Sequence, residues 1–201
     1  MKKIDRTGEV HYNNFGSKVI ITEYIDCHRV KVFFTEYNWE SDYLEYKHIK
    51  KGIMKCPYEP RVWGKGYIGE GEYKCSENNK ITKAYNTWNH MLRRCYSNDF
   101  QNNNSTYIGC KVCDEWLCFQ NFAKWFEENY YEVDGELMDL DKDIKIEGNK
   151  IYSPETCMFI PKEINVVFSH KTKTNHIPRL IEKYKNKIPK ELYDSILNYI
   201  N

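Results

Sequence analysis

The sequence predicts an α+β protein, in which a small antiparallel β module precedes an α-rich domain. Two observations lead to this fold class: β-branched and aromatic runs fill the first part of the chain, and apolar residues recur at helical spacing after it. A third is a strand, turn, strand, helix order further on. We divide the 201 residues into a β module at 1–70, a linker at 71–81, a domain with the ββα hairpin-helix at 82–170, and a loop with a C-terminal helix at 171–201.

The β module is predicted from two runs that a hairpin-sized gap separates. These runs are "SKVIITEYI" and "HRVKVFFTEY", with "DC" between them, and "DYLEYKHIKKG" is predicted as a third strand. Glycines punctuate the following stretch, "WGKGYIGEGEY". No apolar strand leads into these glycines and no helix opens directly after them, so we interpret them as turns and not as a phosphate loop.

The first helix is predicted in "TKAYNTWNHMLRRCY". Its apolar side is formed by Tyr85, Trp88, Met91, Leu92 and Cys95, and its opposite side by Lys83, His90, Arg93 and Arg94. The basic side is either a solvated surface or a surface that meets phosphates, and Lys83, Arg93 and Arg94 are the candidate nucleic-acid contacts. Both alternatives agree with the spacing.

The remaining elements follow from the same kind of pattern. "NDFQNNNSTY" reads as a polar loop, and "CDEWLCFQNFAKWFEENYY" as a second amphipathic helix with Asp114 as its N-cap. Then come a strand "MDLDKDIKI", a turn "EGNK", a strand "IYSPETCMFI" and a helix with Pro161 in its first turn. "KTKTNHIP" is predicted as a loop and "KELYDSILNYI" as the last helix.

Composition limits the partners and the compartment. The formal charge is +1, so a nucleic-acid surface can only be a local patch and not a basic coat. No apolar run approaches the roughly 20 residues that a membrane span needs, and "MKKIDRTGEV" has no apolar stretch after its lysines. We therefore expect a cytoplasmic protein with no membrane partner.

The eight cysteines are expected to be reduced in that compartment. Cys110 and Cys113 form the one C-x-x-C pair, and Cys157 with either Cys95 or Cys118 could complete a structural Zn²⁺ site. The alternative is that these residues are small buried apolar side chains and reduced surface thiols. We favour the alternative, because a second C-x-x-C pair is missing from the sequence.

The stretch from Leu140 to Asn165 resembles the HNH endonucleases. The resemblance runs through "LDKDI", the turn "GN", "SPETC" and the helix that carries Asn165. It implies a divalent cation, Mg²⁺ or Mn²⁺, held by Asp141 on the first strand and Asn165 on the helix. Lys142 stands where the family has its base histidine, and Thr156 where it has the corner asparagine.

A wider resemblance is to a group of bacteriophage proteins described as HNH-like. It covers roughly residues 82–168, through "YNTWNHMLRRCYS", "YIGCKVCDEWLCFQNFAKWF", "MDLDKDI" and "GNKIYSPETC". It implies DNA as a partner and, for a phage-encoded chain, the host cytoplasm as the location. Many of the proteins in this group carry an APETALA-type DNA-binding module, and that module is missing from this sequence.

Lys142 decides how the resemblance is interpreted. A lysine in water titrates near ~10.4, and Asp141 and Asp143 on either side favour the charged ammonium, which suits phosphate contact better than proton abstraction. Nothing local predicts deep burial of Lys142. His170, or else His90 or His176, could serve as the base instead. Asp139, Asp141 and Asp143 alternate along the predicted strand and should share one face.

We therefore expect a phage-type, HNH-derived protein that binds nucleic acid and whose catalytic activity is doubtful. One alternative is a metal-dependent DNA endonuclease that uses Asp141, Asn165 and a base such as His170. Another is a phage-encoded inhibitor that binds a host defence nuclease such as a CRISPR effector, because tyrosine and tryptophan also serve protein interfaces. The sequence indicates no particular target and no oligomeric state.

Overall fold

The computed structural model describes residues 4–169 and 176–198 and shows a mixed α+β protein. An N-terminal antiparallel sheet is followed by helices, in agreement with the predicted fold class. The chain forms two compact units. The first comprises residues 4–59 with Tyr67–Glu70, and the second comprises Pro60–Gly66 with the described residues from Gly71 onward. Within the described residues, no helix has both the length and the apolar character needed to cross a membrane.

The first unit is built on a four-stranded antiparallel meander. Its strands are β1 (Val10–Tyr12), β2 (Lys18–Asp26), β3 (Arg29–Phe34) and β4 (Trp39–Glu40), in the spatial order β1-β2-β3-β4. The predicted hairpin is confirmed, since β2 pairs antiparallel with β3 from Val19↔Phe34 to Asp26↔Arg29. Alternate residues of both strands point into an apolar core, in which Val19, Val30, Val32 and Phe34 are fully buried.

The predicted third strand, "DYLEYKHIKKG", is wrong. Leu44 forms one isolated bridge with Val30, and the chain then turns into helix α1 (Tyr46–Lys50). The helix buries Ile49 and leaves its lysines exposed. β4 pairs with β3 at Phe33 and Phe34, and the Leu44 bridge is the last backbone pairing along this edge before the chain enters α1.

The first helix of the second unit is the predicted aromatic helix. Helix α2 (Lys83–Tyr96) starts at Thr82, whose side chain accepts a hydrogen bond from the backbone N–H of Tyr85. The polar loop predicted next is wrong, because it contains helix α3 (Asn98–Asn103) and a 3₁₀ turn at Ser105–Tyr107. Ser97 caps α3 by accepting from the N–H of Phe100, which gives the polar stretch a helical start.

The second predicted helix is present as two. They are α4 (Asp114–Leu117) and α5 (Phe119–Asn129), and Cys118 separates them with extended backbone angles. Asp114 is not the N-cap: Cys113 holds that position, and its side chain makes no capping bond. The aromatic faces of α2 and α5 pack together, with Trp88 and Phe119 ring centroids 5.4 Å apart and both side chains fully buried.

Short strand pairs and three more helices complete the described part of the second unit. They are β5 (Ser76–Glu77) with β6 (Lys80–Ile81), β7 (Lys111–Val112) parallel to β9 (Ile151–Tyr152), β8 (Met138–Asp141) antiparallel to β10 (Met158–Pro161), and helices α6 (Lys162–Ser169), α7 (Ile177–Tyr184) and α8 (Lys190–Asn198). The final helix is confirmed. Helix α7 was not predicted. The boundaries proposed at residues 70 and 81 stay predictions.

The strand, turn, strand, helix region keeps its predicted order but not its predicted lengths. The first strand ends at Asp141, five residues before its predicted end at residue 146. The returning stretch is divided, because Ile151 and Tyr152 pair with β7 while Met158–Pro161 pair with β8. Helix α6 begins at Lys162, directly after Pro161, and buries Ile164 against a core that also holds Ile160.

Candidate nucleic-acid site

Strand β8 and helix α6 place two of the predicted site residues near each other. Asp139 pairs with Ile160 and Asp141 with Met158 across β8 and β10, and the intervening Leu140 is buried. Helix α6 follows β10 without a loop, so that Asn165 reaches back to β8. The Nδ2 atom of Asn165 donates to Oδ2 of Asp139 at 3.0 Å. The hydrogen bond of the asparagine is therefore to Asp139 and not to Asp141, the residue with which the resemblance implied that it holds a cation.

Asp141 ends the strand by binding the turn that follows. Its Oδ1 accepts from the backbone N–H of Asp143 at 2.8 Å and from that of Ile144 at 2.7 Å. Asp143 consequently lies outside the strand, and the expectation that three aspartates share one strand face is wrong for it. Burial raises the pKa of the Asp141 carboxyl and outweighs these two N–H donors, which act in the opposite direction.

Lys142 is buried, contrary to expectation, with 5% of its surface exposed. Its ammonium donates to the carbonyl oxygen of Asn149 at 2.7 Å and to Oδ2 of Asp143 at 2.6 Å. Asn149 returns a bond from its own Nδ2 to the carbonyl oxygen of Lys142 at 2.9 Å. Lys142 and Asn149 thus clamp the two ends of the loop between β8 and β9, which explains why a charged side chain is buried here.

Arg94 leaves the solvated side of α2 on which it was predicted and is only half-exposed. Its guanidinium carbon lies 5.5 Å from the ring centroid of Tyr107, and it also bonds the hydroxyl group of the buried Tyr152. Burial lowers the pKa of Arg94, but Tyr152, Tyr107 and Asp139 together outweigh it and leave that pKa above its ordinary value. Arg94 is therefore a positively charged side chain whose orientation is fixed by two tyrosines.

These groups border one cleft of about 360 Å³. Its lining includes four of the predicted site residues, together with two tyrosines: Arg94, Asp141, Lys142, Asn165, Tyr107 and Tyr152. A phosphate group entering the cleft would meet the guanidinium, which binds phosphate through paired N–H donors. The oxygen atoms of Asp141 and Asn165 offer a divalent cation two ligands on the same lining.

The histidines named as alternative bases lie elsewhere or outside the described residues. His90 is exposed on α2, and burial followed by its arginine neighbours lowers its pKa. His176 is exposed directly before α7. His170 belongs to the part of the chain that the structure does not describe. Among the described residues that line the cleft, none is a histidine.

The other two cations of the predicted basic face differ from each other. Lys83, at the start of α2, is ion-paired with Glu132. Arg93, at its end, lies over two rings, with its guanidinium carbon 5.1 Å from the centroid of Phe100 and 6.0 Å from that of Trp63. Among the described residues Arg93 has no carboxylate partner. The positive charge at the C-terminal end of the helix is therefore not neutralised by an ion pair.

The candidate zinc ligands are distributed around the short parallel pair of β7 and β9. Cys110 and Cys113 stand immediately before and after β7, and the N–H of Cys113 donates to the carbonyl oxygen of Tyr152 at 2.9 Å. Burial raises the pKa of Cys157 to about 12 and also raises that of Cys110. Within residues 4–169 and 176–198, no group of three or more His, Cys, Asp or Glu side chains is arranged to hold a metal ion. The zinc site stays a prediction, and metal analysis of the purified protein tests it.

Sequence reasoning missed the residues that hold Arg94 and Lys142 in place. Tyr107 comes from a stretch interpreted as loop, and Tyr152 from a strand whose parallel partner lies about forty residues earlier. Asn149 belongs to the "GN" turn, which was recognised for its backbone and not for its side chain. Thr156, at the corner position, donates to the carbonyl oxygen of Ile151 at 2.7 Å and so holds the bend between β9 and β10.

Comparison with known proteins found no match: no family model fits the chain, and neither a curated protein nor a solved structure is similar to it.

Proposed function

We propose that this chain is a bacteriophage-type, HNH-derived protein that binds nucleic acid at the cleft between α2, β8 and α6. The observation that carries the proposal is Arg94, a half-buried guanidinium held on Tyr107 and Tyr152 at a cleft that Asp141 and Asn165 also line. A cation that is already oriented loses little freedom when it binds a phosphate group. The resemblance described above supplies the class of ligand.

The position of Lys142 supports binding in preference to hydrolysis. In the family resemblance this position carries the base, and here its ammonium is committed to Asn149 and Asp143. A general base must be within hydrogen-bond reach of the proton that it removes. Lys142 instead serves the loop, and the chain retains the frame of the site without the family's proton acceptor.

Fluorescence anisotropy with labelled single-stranded and duplex DNA at low salt tests the proposal. We expect the wild-type protein to bind at least one form, and Arg94→Gln to weaken the binding. Loss of one phosphate contact should reduce the slope of log K against log salt by about 0.7 for a single strand or 0.9 for a duplex. Arg94→Lys keeps the positive charge but lacks the paired N–H donors of a guanidinium group, so it separates the effect of charge from that of hydrogen-bond geometry.

Lys83→Gln is the matched control, because Lys83 lies on the same helix and is already paired with Glu132. It should bind as the wild type does. Thermal melting of each variant shows whether Arg94→Gln has unfolded the protein. Absence of binding to both DNA forms at low salt would overturn the proposal, as would equal effects of the Arg94 and Lys83 substitutions in folded protein.

A metal-dependent endonuclease is the second candidate, and the contact between Asn165 and Asp139 favours it. Because Nδ2 of Asn165 donates to Asp139, its carbonyl oxygen is left to act as a ligand in the cleft beside Asp141. These two residues would hold Mg²⁺ or Mn²⁺, and a bound ion would stabilise charge that develops on a phosphodiester. Arg94 would hold and orient the phosphate group.

Cleavage assays in Mg²⁺ and Mn²⁺ separate the two candidates. We expect slow or no cleavage by the wild-type protein. We also expect little gain in Lys142→His, because the side chain at this position is directed to Asn149 and the loop. Robust wild-type cleavage that Asp141→Asn abolishes would establish the endonuclease, and measurable cleavage by Lys142→His would show that the buried position can still serve a base.

A further inference from the structure

The cleft continues into a series of neighbouring rings and guanidinium groups on the surface of the second unit. The members of this arginine–aromatic series are Trp63, Arg93, Phe100, Tyr107 and Arg94. Arg93 lies over the rings of Trp63 and Phe100, at 6.0 and 5.1 Å from their centroids. The Phe100 and Tyr107 rings are 5.6 Å apart, and Arg94 lies 5.5 Å from the Tyr107 centroid. Each neighbour in the series is therefore in contact with the next.

The rings of the series are partly exposed, unlike the rings at the centre of the contact between α2 and α5. Trp63 is 38% exposed, and Phe100 and Tyr107 are half-buried, whereas Trp88, Phe119 and Phe122 are fully buried. Packing of the core therefore does not account for the rings of the series. They present π-faces and cations together on one surface.

Trp63 is held on this surface in a conformation that a bulky residue seldom adopts. Its φ is +53°, in the left-handed region. The backbone around it is closed by the bridge between Val62 and Gly66, and its indole Nε1 donates to Oδ1 of Asn89 on α2 at 3.1 Å. The ring is thus fixed beside Arg93 before any ligand binds.

We infer that the arginine–aromatic series is a track for single-stranded nucleic acid that leads into the cleft. Exposed rings next to arginines bind unpaired bases by stacking, while the cations contact the backbone phosphates. A duplex keeps its base faces stacked inside the helix and cannot use these rings. The near-neutral charge of the chain agrees with a short track better than with a broad duplex surface. This inference rests on the proposed function and specifies the kind of strand.

Anisotropy with a labelled single-stranded oligonucleotide and its duplex tests the inference. We expect the single strand to bind more tightly. Trp63→Leu and Phe100→Leu should each weaken single-strand binding roughly 5- to 100-fold, as the stacking of one base on one ring contributes. Trp63→Phe and Phe100→Tyr keep a ring and should retain most of the affinity. The exposed Tyr12 of the first unit provides the control substitution Tyr12→Leu, which should change nothing.

The readouts separate stacking from charge. Ring substitutions should leave the salt slope unchanged, whereas Arg93→Gln should lower it by about 0.7 for one lost phosphate contact. Trp63 is the most exposed tryptophan described, so single-stranded DNA should quench intrinsic fluorescence in the wild type and not in Trp63→Leu. The quenching measurement on the wild type needs no variant to fold.

The outcomes distinguish this inference from the proposed function. If the protein binds neither DNA form, both fail. If the duplex binds as well as the single strand, and the ring substitutions have no effect while Arg94→Gln weakens binding, the track is refuted and the proposed function stands. Preference for the single strand, with losses in both leucine variants, supports both.

Discussion

The sheet of the first unit and the helix pair α2–α5 of the second unit bury different side chains, although the second unit also has a mainly aliphatic core around Ile160 and Ile164. The sheet of the first unit buries aliphatic residues such as Val19, Val30 and Val32. The helices α2 and α5 of the second unit bury large rings instead, among them Trp88 and Phe119, which are in tilted contact. Branched side chains pack well on the pleated surface of a sheet, and each buried ring removes a large apolar area from water.

Arg6 and Arg29 of the first unit have carboxylate partners, which Arg93 and Arg94 of α2 lack among the described residues. Arg6 and Arg29 of the first unit each pair with a carboxylate three residues away, at 2.8 and 2.6 Å. Arg93 and Arg94 of the second unit lie on rings. A ring leaves the N–H donors of a guanidinium largely uncommitted, and a carboxylate occupies them. Whether a cationic side chain can bind a ligand is therefore indicated by its contact partner and not by its position on a helix face.

The largest effect should come from breaking the aromatic core. Trp88 is fully buried, and its indole N–H donates to the carbonyl oxygen of Trp116 at 2.7 Å. We expect Trp88→Ala to lower the free energy of unfolding by about 3–5 kcal/mol, because it leaves a cavity and an unpaired carbonyl group. Ile21→Val, in the core of the first unit, should cost only about 0.5–1.5 kcal/mol. Urea unfolding measures both, and similar losses would remove the distinction between the cores.

An intermediate effect should come from overpacking the same core. A Cβ atom added to Gly66 would lie 2.8 Å from Cζ2 of Trp88 and closer still to Leu92. We expect Gly66→Ala to destabilise the protein by about 1–3 kcal/mol. Leu92→Ala in the Gly66→Ala background should cost less than Leu92→Ala alone, since the added methyl group fills part of the space. Additive costs in this double-mutant cycle would contradict the close approach.

A smaller effect should appear when the carboxylates of the second unit are titrated. Hydrogen bonds from Lys183 and Tyr184, together with the charge of Arg179, lower the pKa of Glu163 from its ordinary 4.5. A lowered pKa means that the stabilisation is present above pH 4.5 and is lost as pH falls through the folded value. Glu163→Gln should therefore reduce the melting temperature at pH 6 and make its fall below pH 4.5 shallower. Glu128→Gln, at an exposed position, serves as the control. If Glu163→Gln leaves the fall of the melting temperature in acid unchanged, the stabilising role of Glu163 is refuted.

The smallest effect is expected for Lys83→Gln. Lys83 forms an ion pair with Glu132 in which the two side chains are 68% and 61% exposed. Exposed ion pairs contribute little to stability. The melting temperature and the DNA affinity should both stay at their wild-type values. A marked loss of DNA binding would mean that the N-terminal end of α2 belongs to the interface after all.

The local periodicity of apolar residues was sufficient to predict part of the fold, and motifs in the sequence were sufficient to name several residues of the site. The β2–β3 hairpin, helix α2 and the order of β8, β10 and α6 follow from periods of two and of about 3.6 residues. The same pattern failed where a single side chain redirects the backbone. Ser97 starts α3 inside a polar stretch, and Asp141 ends β8 by accepting two N–H groups.

The residue types, and most of the side chains that share one face of a helix or strand, follow from the amino-acid sequence. The contacts that each side chain makes follow from the folded chain. Lys142 is buried because Asn149 comes back to it across a loop, and Arg94 is half-buried because Tyr107 and Tyr152 arrive from separate elements. Periodicity reports the direction of a side chain relative to its own backbone. Burial and electrostatic partners depend on segments far away in sequence, and no local pattern records them.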